Sequence, residues 1–264
     1  MVAEALYTTP DEVTIAYEVR GDGRPFGYAH GILLSRAAVR ELGLFDIDAI
    51  AADRRLLAYD QRGHGRSTGR SKPADYRFEQ AADDLLDLLD AAGIDEPIDF
   101  AGSSLGAAAA LYAALTAPHR FRRLALLIPP VAWESGPHQL RQWYFDTADL
   151  IDDIGAAAWR RQWADAPSLP IFAEYPQGKF TPDVDDVVVS SALRGAGLSD
   201  LPEPAKLASL PHPTLILAWD TDALHPVSTA QRLAQLIPNS TLHIARTVDD
   251  VKTWTQRTAD FFSG

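Results

Sequence analysis

Short apolar runs alternate with segments of helical period along the first half of the chain. Val13–Val19, Pro25–Ala29 and Arg55–Tyr59 read as strands, each short and closed by turn residues such as His30-Gly31 or Asp60-Gln61-Arg62-Gly63-His64-Gly65. Phe78–Leu89 carries Ala81, Ala82, Leu85, Leu88 and Leu89 at helical spacing, with its acids on the other face, and Gly93 suits its end. Pro97–Phe100 predicts a buried strand and Leu105–Leu115 an Ala-rich helix. Leu124–Ile128 predicts another strand, stopped by Pro129-Pro130. This is the rhythm of parallel βαβ units. It then breaks. Between Val131 and about Ser209 lie helical patterns, scattered prolines and four of the six tryptophans (Trp133, Trp143, Trp159 and Trp163), with one doubtful strand at Val187–Val189. The βα rhythm returns with Thr214–Ala218, a helix over Ser228–Leu236, a strand over Leu242–Ala245 and a final helix over Val251–Phe262. The pattern predicts an α/β core over residues 1–130 and 210–264, interrupted by a helical insertion over 131–209.

Composition narrows the function classes. With 264 residues, 47% of them apolar, the chain has enough material for a large core and is not a disordered or fibrous sequence. Its 24 basic against 36 acidic residues give a net charge of −12, with no basic block, so a nucleic-acid partner is not expected. The absence of cysteine excludes disulfides and Cys-ligated zinc or iron–sulfur sites, and fits a reducing cytoplasm. The opening MVAEALYTTP has no basic region followed by an apolar run, so no secretory signal is expected. No stretch approaches the roughly 20 apolar residues that span a bilayer, so no membrane association is expected either.

The most informative segment is Phe100-Ala101-Gly102-Ser103-Ser104-Leu105-Gly106. A buried strand runs into G-x-S-x-G and then directly into a helix, the context of a nucleophile elbow. A turn that sharp crowds its neighbours, so glycine is needed two residues either side of the exposed serine. Ser103 reads as a small spacer, and the plain alternative is a tight βα turn with no chemistry. Ser104 would sit at a helix N-terminus, whose amides favour negative charge. His30-Gly31 follows an upstream strand, so the amides of Ile32 and Leu105 are the candidate oxyanion donors. The side chain of His30 is expected to orient that loop at the edge of the pocket rather than to transfer protons. No phosphate-binding loop, dinucleotide fingerprint or EF-hand spacing is present, and neither a metal nor an organic cofactor is expected.

These pieces, in order, resemble the α/β-hydrolase superfamily: His30-Gly31, Asp60 to Ser67 as D-x-R-G-H-G-x-S, Gly102 to Gly106, and Asp222-Ala223-Leu224-His225-Pro226. The resemblance spans essentially the whole chain. It implies a mostly parallel sheet flanked by helices, with the insertion as a helical cap over the substrate pocket. It also implies that Asp60 and His64 are turn residues. The family's acid follows the strand after the cap, where Asp220 and Asp222 both lie. Asp222 has the D-x-x-x-P spacing to Pro226, and Asp220 reads as a solvated loop carboxylate. The role of Asp222 would be to hold an imidazole and stabilise the imidazolium.

The histidine is where the match breaks. Similar enzymes carry the base in a loop after the last strand, but no histidine follows His243 in this chain. Of the seven histidines, His64, His119 and His212 read as structural, and His138 as an exposed cap residue. His225 lies three residues after Asp222, at the carboxyl end of a parallel strand where such sites open, although that closeness makes the usual geometry awkward. His243 keeps the order Ser, Asp, His but sits within a strand pattern. A third reading is that no ordinary base exists. The cap offers aromatic surface, with Trp133 and Glu134 at its entry as the expected pocket contacts, and so suggests a mostly apolar acyl compound. The expected function is hydrolysis of a carboxylic ester, lactone or related acyl compound through Ser104, with Asp222 and His225, or alternatively His243. Two alternatives stand beside it: a degenerate small-molecule binder, and a non-hydrolytic C–C cleavage, lyase or cyclase enzyme.

Overall fold

The computed structural model describes residues 4–133, 138–222 and 224–264. Its strands are β1 (Glu4–Thr8), β2 (Thr14–Arg20), β3 (Arg24–Ala29), β4 (Arg54–Tyr59), β5 (Ile98–Ser103), β6 (Phe121–Leu127), β7 (Thr214–Trp219) and β8 (Ser240–Ala245). They form one sheet in the order β1-β2-β4-β3-β5-β6-β7-β8. β1 and β2 are antiparallel to their neighbours, and the six strands from β4 to β8 across the sheet run parallel. Helices α1 (Arg36–Leu42) and α2 (Ile47–Ile50) lie between β3 and β4, and α3 (Phe78–Ala91) between β4 and β5. Next, α4 (Leu105–Thr116) joins β5 to β6. The insertion between β6 and β7 holds α5 (His138–Ile154), α6 (Ala156–Asp165), α7 (Val189–Gly197) and α8 (Pro204–Leu207). The chain closes with α9 (Val227–Leu236), α10 (Val248–Lys252) and α11 (Trp254–Ser263).

Alternation along each strand divides the core in two. Leu57, Tyr59, Ile98 and Phe100 pack with α3, α4 and α9 on one face. Phe26, Tyr28, Leu56 and Ala58 pack with α1, α2, α10 and α11 on the other. Alanine explains the seating of α4: Ala107 to Ala110 are wholly buried, and side chains this small let the helix pass between α3 and the sheet. The insertion joins the first of these cores through Tyr144, Ile151, Trp159 and Leu193. Among the described residues, no helix is long and apolar enough to cross a membrane.

The sheet has the α/β-hydrolase architecture expected, with four differences of detail. Val187–Val189 is not a strand: Val189 opens α7, and only Val184 makes an isolated bridge, to His64. The final helix is two, α10 and α11, meeting at Thr253. β1 is an edge strand whose alternation is too exposed to stand out. α1 and α2 were not predicted, yet both carry capping signals: Ser35 accepts from Ala38 N, Gly43 (φ 63) ends α1, and the Asp46 carboxylate caps α2.

The sheet order also decides where a site can form. From β3 the chain crosses to β4 on one side, while β5 lies on the other. The carboxyl ends of β3 and β5 therefore flank a topological switch point, where a crevice opens in sheets of this kind. His30-Gly31 leaves β3 and Ser104 leaves β5 at that place.

Candidate active site

Ser104 bridges β5 and α4 with φ 51 and ψ −111, a backbone conformation that costs a non-glycine residue about 1–3 kcal/mol. The neighbouring glycines explain why it holds. A Cβ on Gly102 would lie 2.2 Å from the carbonyl oxygen of Gly106, and one on Gly106 would lie 2.2 Å from that of Ala29. Ser104 N donates to Leu127 O at 2.9 Å, and Ser104 O accepts from Ala107 N and Ala108 N at 2.9 and 3.0 Å. The serine is thus fixed at the head of α4, with its side chain in the wall of the crevice.

The loop after β7 meets it there. Asp222 Oδ1 accepts from Leu224 N at 2.8 Å and from His225 N at 3.0 Å, which folds the loop back over the carboxylate. That turn makes the three-residue spacing workable: Asp222 Oδ2 lies 2.8 Å from His225 Nδ1, and His225 Nε2 lies 2.9 Å from Ser104 Oγ. With Nδ1 donating to the carboxylate, Nε2 is left as the acceptor of the serine proton. The Asp222 side chain is 2% exposed and that of His225 13%, so the pair is shielded but reachable. Asp220 is exposed, as a solvated loop residue should be. His243 is not brought to this site. It pairs with Leu217 inside β8, and burial, Arg257 and Asp250 dominate its surroundings, the first two pushing its pKa down.

The opposite wall is the loop that leaves β3. A Cβ on Gly31 would come 3.3 Å from Ser104 Cβ, so this loop packs directly on the serine. The Asp60–His64 turn braces it at successive points. Gln61 N donates to His30 Nε2 at 2.9 Å, Leu33 N to His64 Nε2 at 3.2 Å, and Arg36 N to Asp60 Oδ1 at 2.8 Å. Each imidazole also donates through Nδ1, His30 to Gly31 O and His64 to Arg62 O, both at 2.8 Å. Both rings must therefore be neutral. Burial drives this: it pushes His64 down to about 3, helped by the neighbouring His30, and it lowers His30 as well. The insertion clips the same turn, with Asp183 N donating to Leu33 O and Asp185 N to Gly63 O, both at 2.9 Å. Leu105 is the first residue of α4, so its N–H has no intrahelical partner, and the Ile32 N–H is unpaired among the described residues.

These walls enclose a cavity of about 610 Å³. Ser104, Asp222 and His225 line it together with Phe45, Trp143 and Trp219. Ser103, expected as a spacer, instead places its Oγ 3.1 Å from the hydroxyl of Tyr28, whose pKa burial pushes up to about 12. Among the described residues, no group of three or more Asp, Glu or His is gathered as a metal site would need.

A family model for the alpha/beta hydrolase fold matches residues 28–249. The chain belongs to the α/β-hydrolase family. It is 31% identical over 256 residues to the non-heme chloroperoxidase CPO-A1 of Kitasatospora aureofaciens, covering 90% of this chain and 88% of that one. It is 30% identical over 238 residues to a RutD protein of Stutzerimonas stutzeri named for carbamate hydrolysis, covering 86% of each. The enol-lactonase of Burkholderia xenovorans LB400 shares the fold at a TM-score of 0.81, with 18% identity, over 98% of this chain and 100% of that one.

For this α/β-hydrolase, three expected pocket contacts need correction or fall outside the structure. His30 does not line the cavity: it is fully buried behind the loop, with both ring nitrogens engaged. Trp133 does not line it either. Its backbone N–H donates to Asp200 Oδ1 and its indole to Pro202 O, which turns the ring onto the core instead. Glu134 and the side chain of His138 lie outside the described residues. Conversely, Trp219 and Trp254 line the cavity without having been predicted to. Trp219 ends β7 at the edge where such sites open, a legible signal. Trp254 reaches the cavity only by packing of the last helix, which no local pattern reveals.

Proposed function

We propose that the protein hydrolyses a carboxylic ester, lactone or related acyl compound through an acyl-enzyme on Ser104. The observation that carries this reading is the continuous relay from Ser104 Oγ to His225 Nε2 at 2.9 Å and from His225 Nδ1 to Asp222 Oδ2 at 2.8 Å. Ser104 Oγ attacks the acyl carbon while its proton passes to His225, and Asp222 stabilises the imidazolium. The carbonyl becomes an oxyanion beside the amides of Ile32 and Leu105, where each donor contributes about 3–4 kcal/mol in comparable sites. Collapse expels the alcohol, which takes the proton from His225. Water, deprotonated by the same imidazole, then attacks the acyl-enzyme, and the acid leaves with Ser104 restored. Residues 131–209 act as the cap, and the core over 1–130 and 210–264 holds the chemistry. The names of the RutD relative and the enol-lactonase, both acyl chemistry, support this reaction class, and a cysteine-free chain suits the cytoplasm.

A fluorophosphonate, scored by intact mass, tests this directly. Stoichiometric labelling of the wild type that vanishes in Ser104→Ala is the expected result. A folded wild type that takes no label overturns it and favours a protein that binds small molecules without turning them over.

A further inference from the structure

Tyr59 and Tyr144 are buried tyrosines whose hydroxyls have no partner among the described residues, and of these two it is Tyr144 that lines the cavity of Ser104. Tyr28 bonds Ser103, and Tyr76, Tyr112 and Tyr175 donate to the carbonyls of Arg70, Asp200 and Leu42. Tyr144 is only 4% exposed, lines the cavity, and its hydroxyl has no hydrogen-bond partner among the described residues. Helical spacing puts Leu140, Trp143 and Tyr144 on one face of α5, and all three line the same cavity as Ser104. Phenylalanine would fill that place without a hydroxyl that lacks a partner among the described residues. Burial, and then the charge of Asp222, push its pKa up to about 12, so it is a neutral donor within electrostatic reach of the relay.

The rest of the cavity sets the charge of what enters. Among its described residues the one cationic side chain is Lys179, and that ammonium donates to the carbonyls of Ala164 and Ala166. Among the described residues no free cation lines the cavity beside the Asp222 carboxylate, so an anionic ligand would find no cationic partner among them. A cavity of about 610 Å³ suits a small molecule of ordinary size.

We propose that Tyr144 selects the substrate: its hydroxyl donates a hydrogen bond to a second acceptor oxygen on an uncharged, otherwise apolar ester or lactone. The scissile bond comes from the acyl-hydrolase reading, whereas the binding step is independent of it.

The probes are 4-nitrophenyl hexanoate and three isosteres in which an ether oxygen replaces the third, fourth or fifth acyl carbon. Binding is read by tryptophan fluorescence, since Trp143, Trp163, Trp219 and Trp254 line the cavity. The proteins are Ser104→Ala and Ser104→Ala/Tyr144→Phe, with Tyr144→Met as a second hydroxyl deletion should the Phe variant fail to fold. For at least one ether position, the affinity ratio of ether to hydrocarbon falls about three- to tenfold when the hydroxyl is removed, as loss of one neutral hydrogen bond predicts. Ratios unchanged at all three positions overturn the proposal. Turnover of the same esters by the protein with Ser104 intact reports separately on the hydrolase reading. A collapsed ratio without turnover would retain Tyr144 and discard that reading, and turnover with unchanged ratios would do the reverse.

Discussion

The loop of residues 30–36 is braced from outside itself, whereas the loop of residues 220–226 is braced largely from within. On the first, Gln61, His64 and Asp60 each fix a different point, and the insertion adds a clip at Leu33. On the second, one carboxylate takes two amides and an imidazole of its own loop. The difference separates two kinds of cost. A change in the first loop disturbs long-range contacts that the fold depends on, so stability and activity fall together. A change in the second removes chemistry while leaving the sheet and both cores in place.

The largest effect therefore belongs to the second loop. His225→Ala should lower ester turnover by about 10⁴-fold, as loss of a relay member does elsewhere, and abolish fluorophosphonate labelling. Its unfolding free energy should move by less than about 1 kcal/mol, because the side chain is at the cavity wall and anchors nothing else. Asp222→Asn should cost nearly as much turnover, by leaving the imidazole in the wrong tautomer. Asp222→Ala should cost more than Asp222→Asn, because the amides of Leu224 and His225 also lose their acceptor. Equal losses in the two Asp222 variants would mean that the loop does not rely on its own carboxylate. Steady-state kinetics and urea titrations of the three variants decide the point.

His64→Leu is the matching change in the first loop. It removes an acceptor from Leu33 N and a donor from Arg62 O inside a fully buried turn. Leaving a buried amide unpaired costs about 1–3 kcal/mol. Leu33 sits at φ 67, and without His64 the insertion's bond from Asp183 N to its carbonyl remains to hold it there. The variant should lose that stability and about ten- to a hundredfold in turnover through the shifted Ile32 amide. Full activity in a destabilised His64→Leu would show that the turn supports the fold alone.

A pH series sharpens the same contrast. His30 and His64 are neutral when folded, with pKa values below the ordinary histidine value, that of His64 at about 3. Unfolded, each titrates near 6.5, so between these values the unfolded chain binds more protons and stability falls as pH falls. The contribution is complete above about pH 6.5 and declines at up to about 1.4 kcal/mol per pH unit for each residue. Asp60 joins only at more acidic pH: burial raises its pKa, but the Arg36 guanidinium outweighs that and holds it below the usual carboxylate value. Between about pH 4.5 and 6.5 the slope of unfolding free energy should be shallower in His64→Leu than in the wild type. Identical slopes would mean that His64 is not held neutral.

The two loops also differ in how far the sequence could announce them. Gly102, Ser104 and Gly106 are legible because a sharp turn has few solutions, and a Cβ on either glycine would lie 2.2 Å from a backbone oxygen. The Asp60–His64 turn was legible as architecture, but not as the brace on the loop beside Ser104, since its partners lie about 30 residues away. His225 could only be ranked against His243, because whether a carboxylate reaches an imidazole three residues on depends on how one loop folds. The cavity wall was the least legible. Trp133 follows the insertion's Pro-Pro entry in sequence but turns away, whereas Trp254 belongs to a helix whose pattern says only that one face is buried. Local pattern reports burial, and which buried surfaces face a ligand is settled by packing between distant elements.

The smallest expected effect is that of His243→Ala. Leu242 packs toward one core and Ala245 toward the other, so alternation puts His243 on the face of Ala245, beneath α11 rather than toward the cavity. The loop that follows β8 is already committed: Thr247 Oγ1 accepts from Asp250 N at 3.1 Å, and the Asp250 carboxylate accepts from Arg246 N at 2.9 Å and Thr247 N at 3.0 Å. That capping box starts α10, and none of residues 246–250 lines the cavity that holds Ser104. Turnover of His243→Ala should stay within about twofold of the wild type, with labelling unchanged and a stability change below about 1 kcal/mol. A loss above tenfold there, with His225→Ala still active, would return the proton transfer to the last strand. The single-loop pairing of Asp222 with His225 would then be a structural contact rather than a relay.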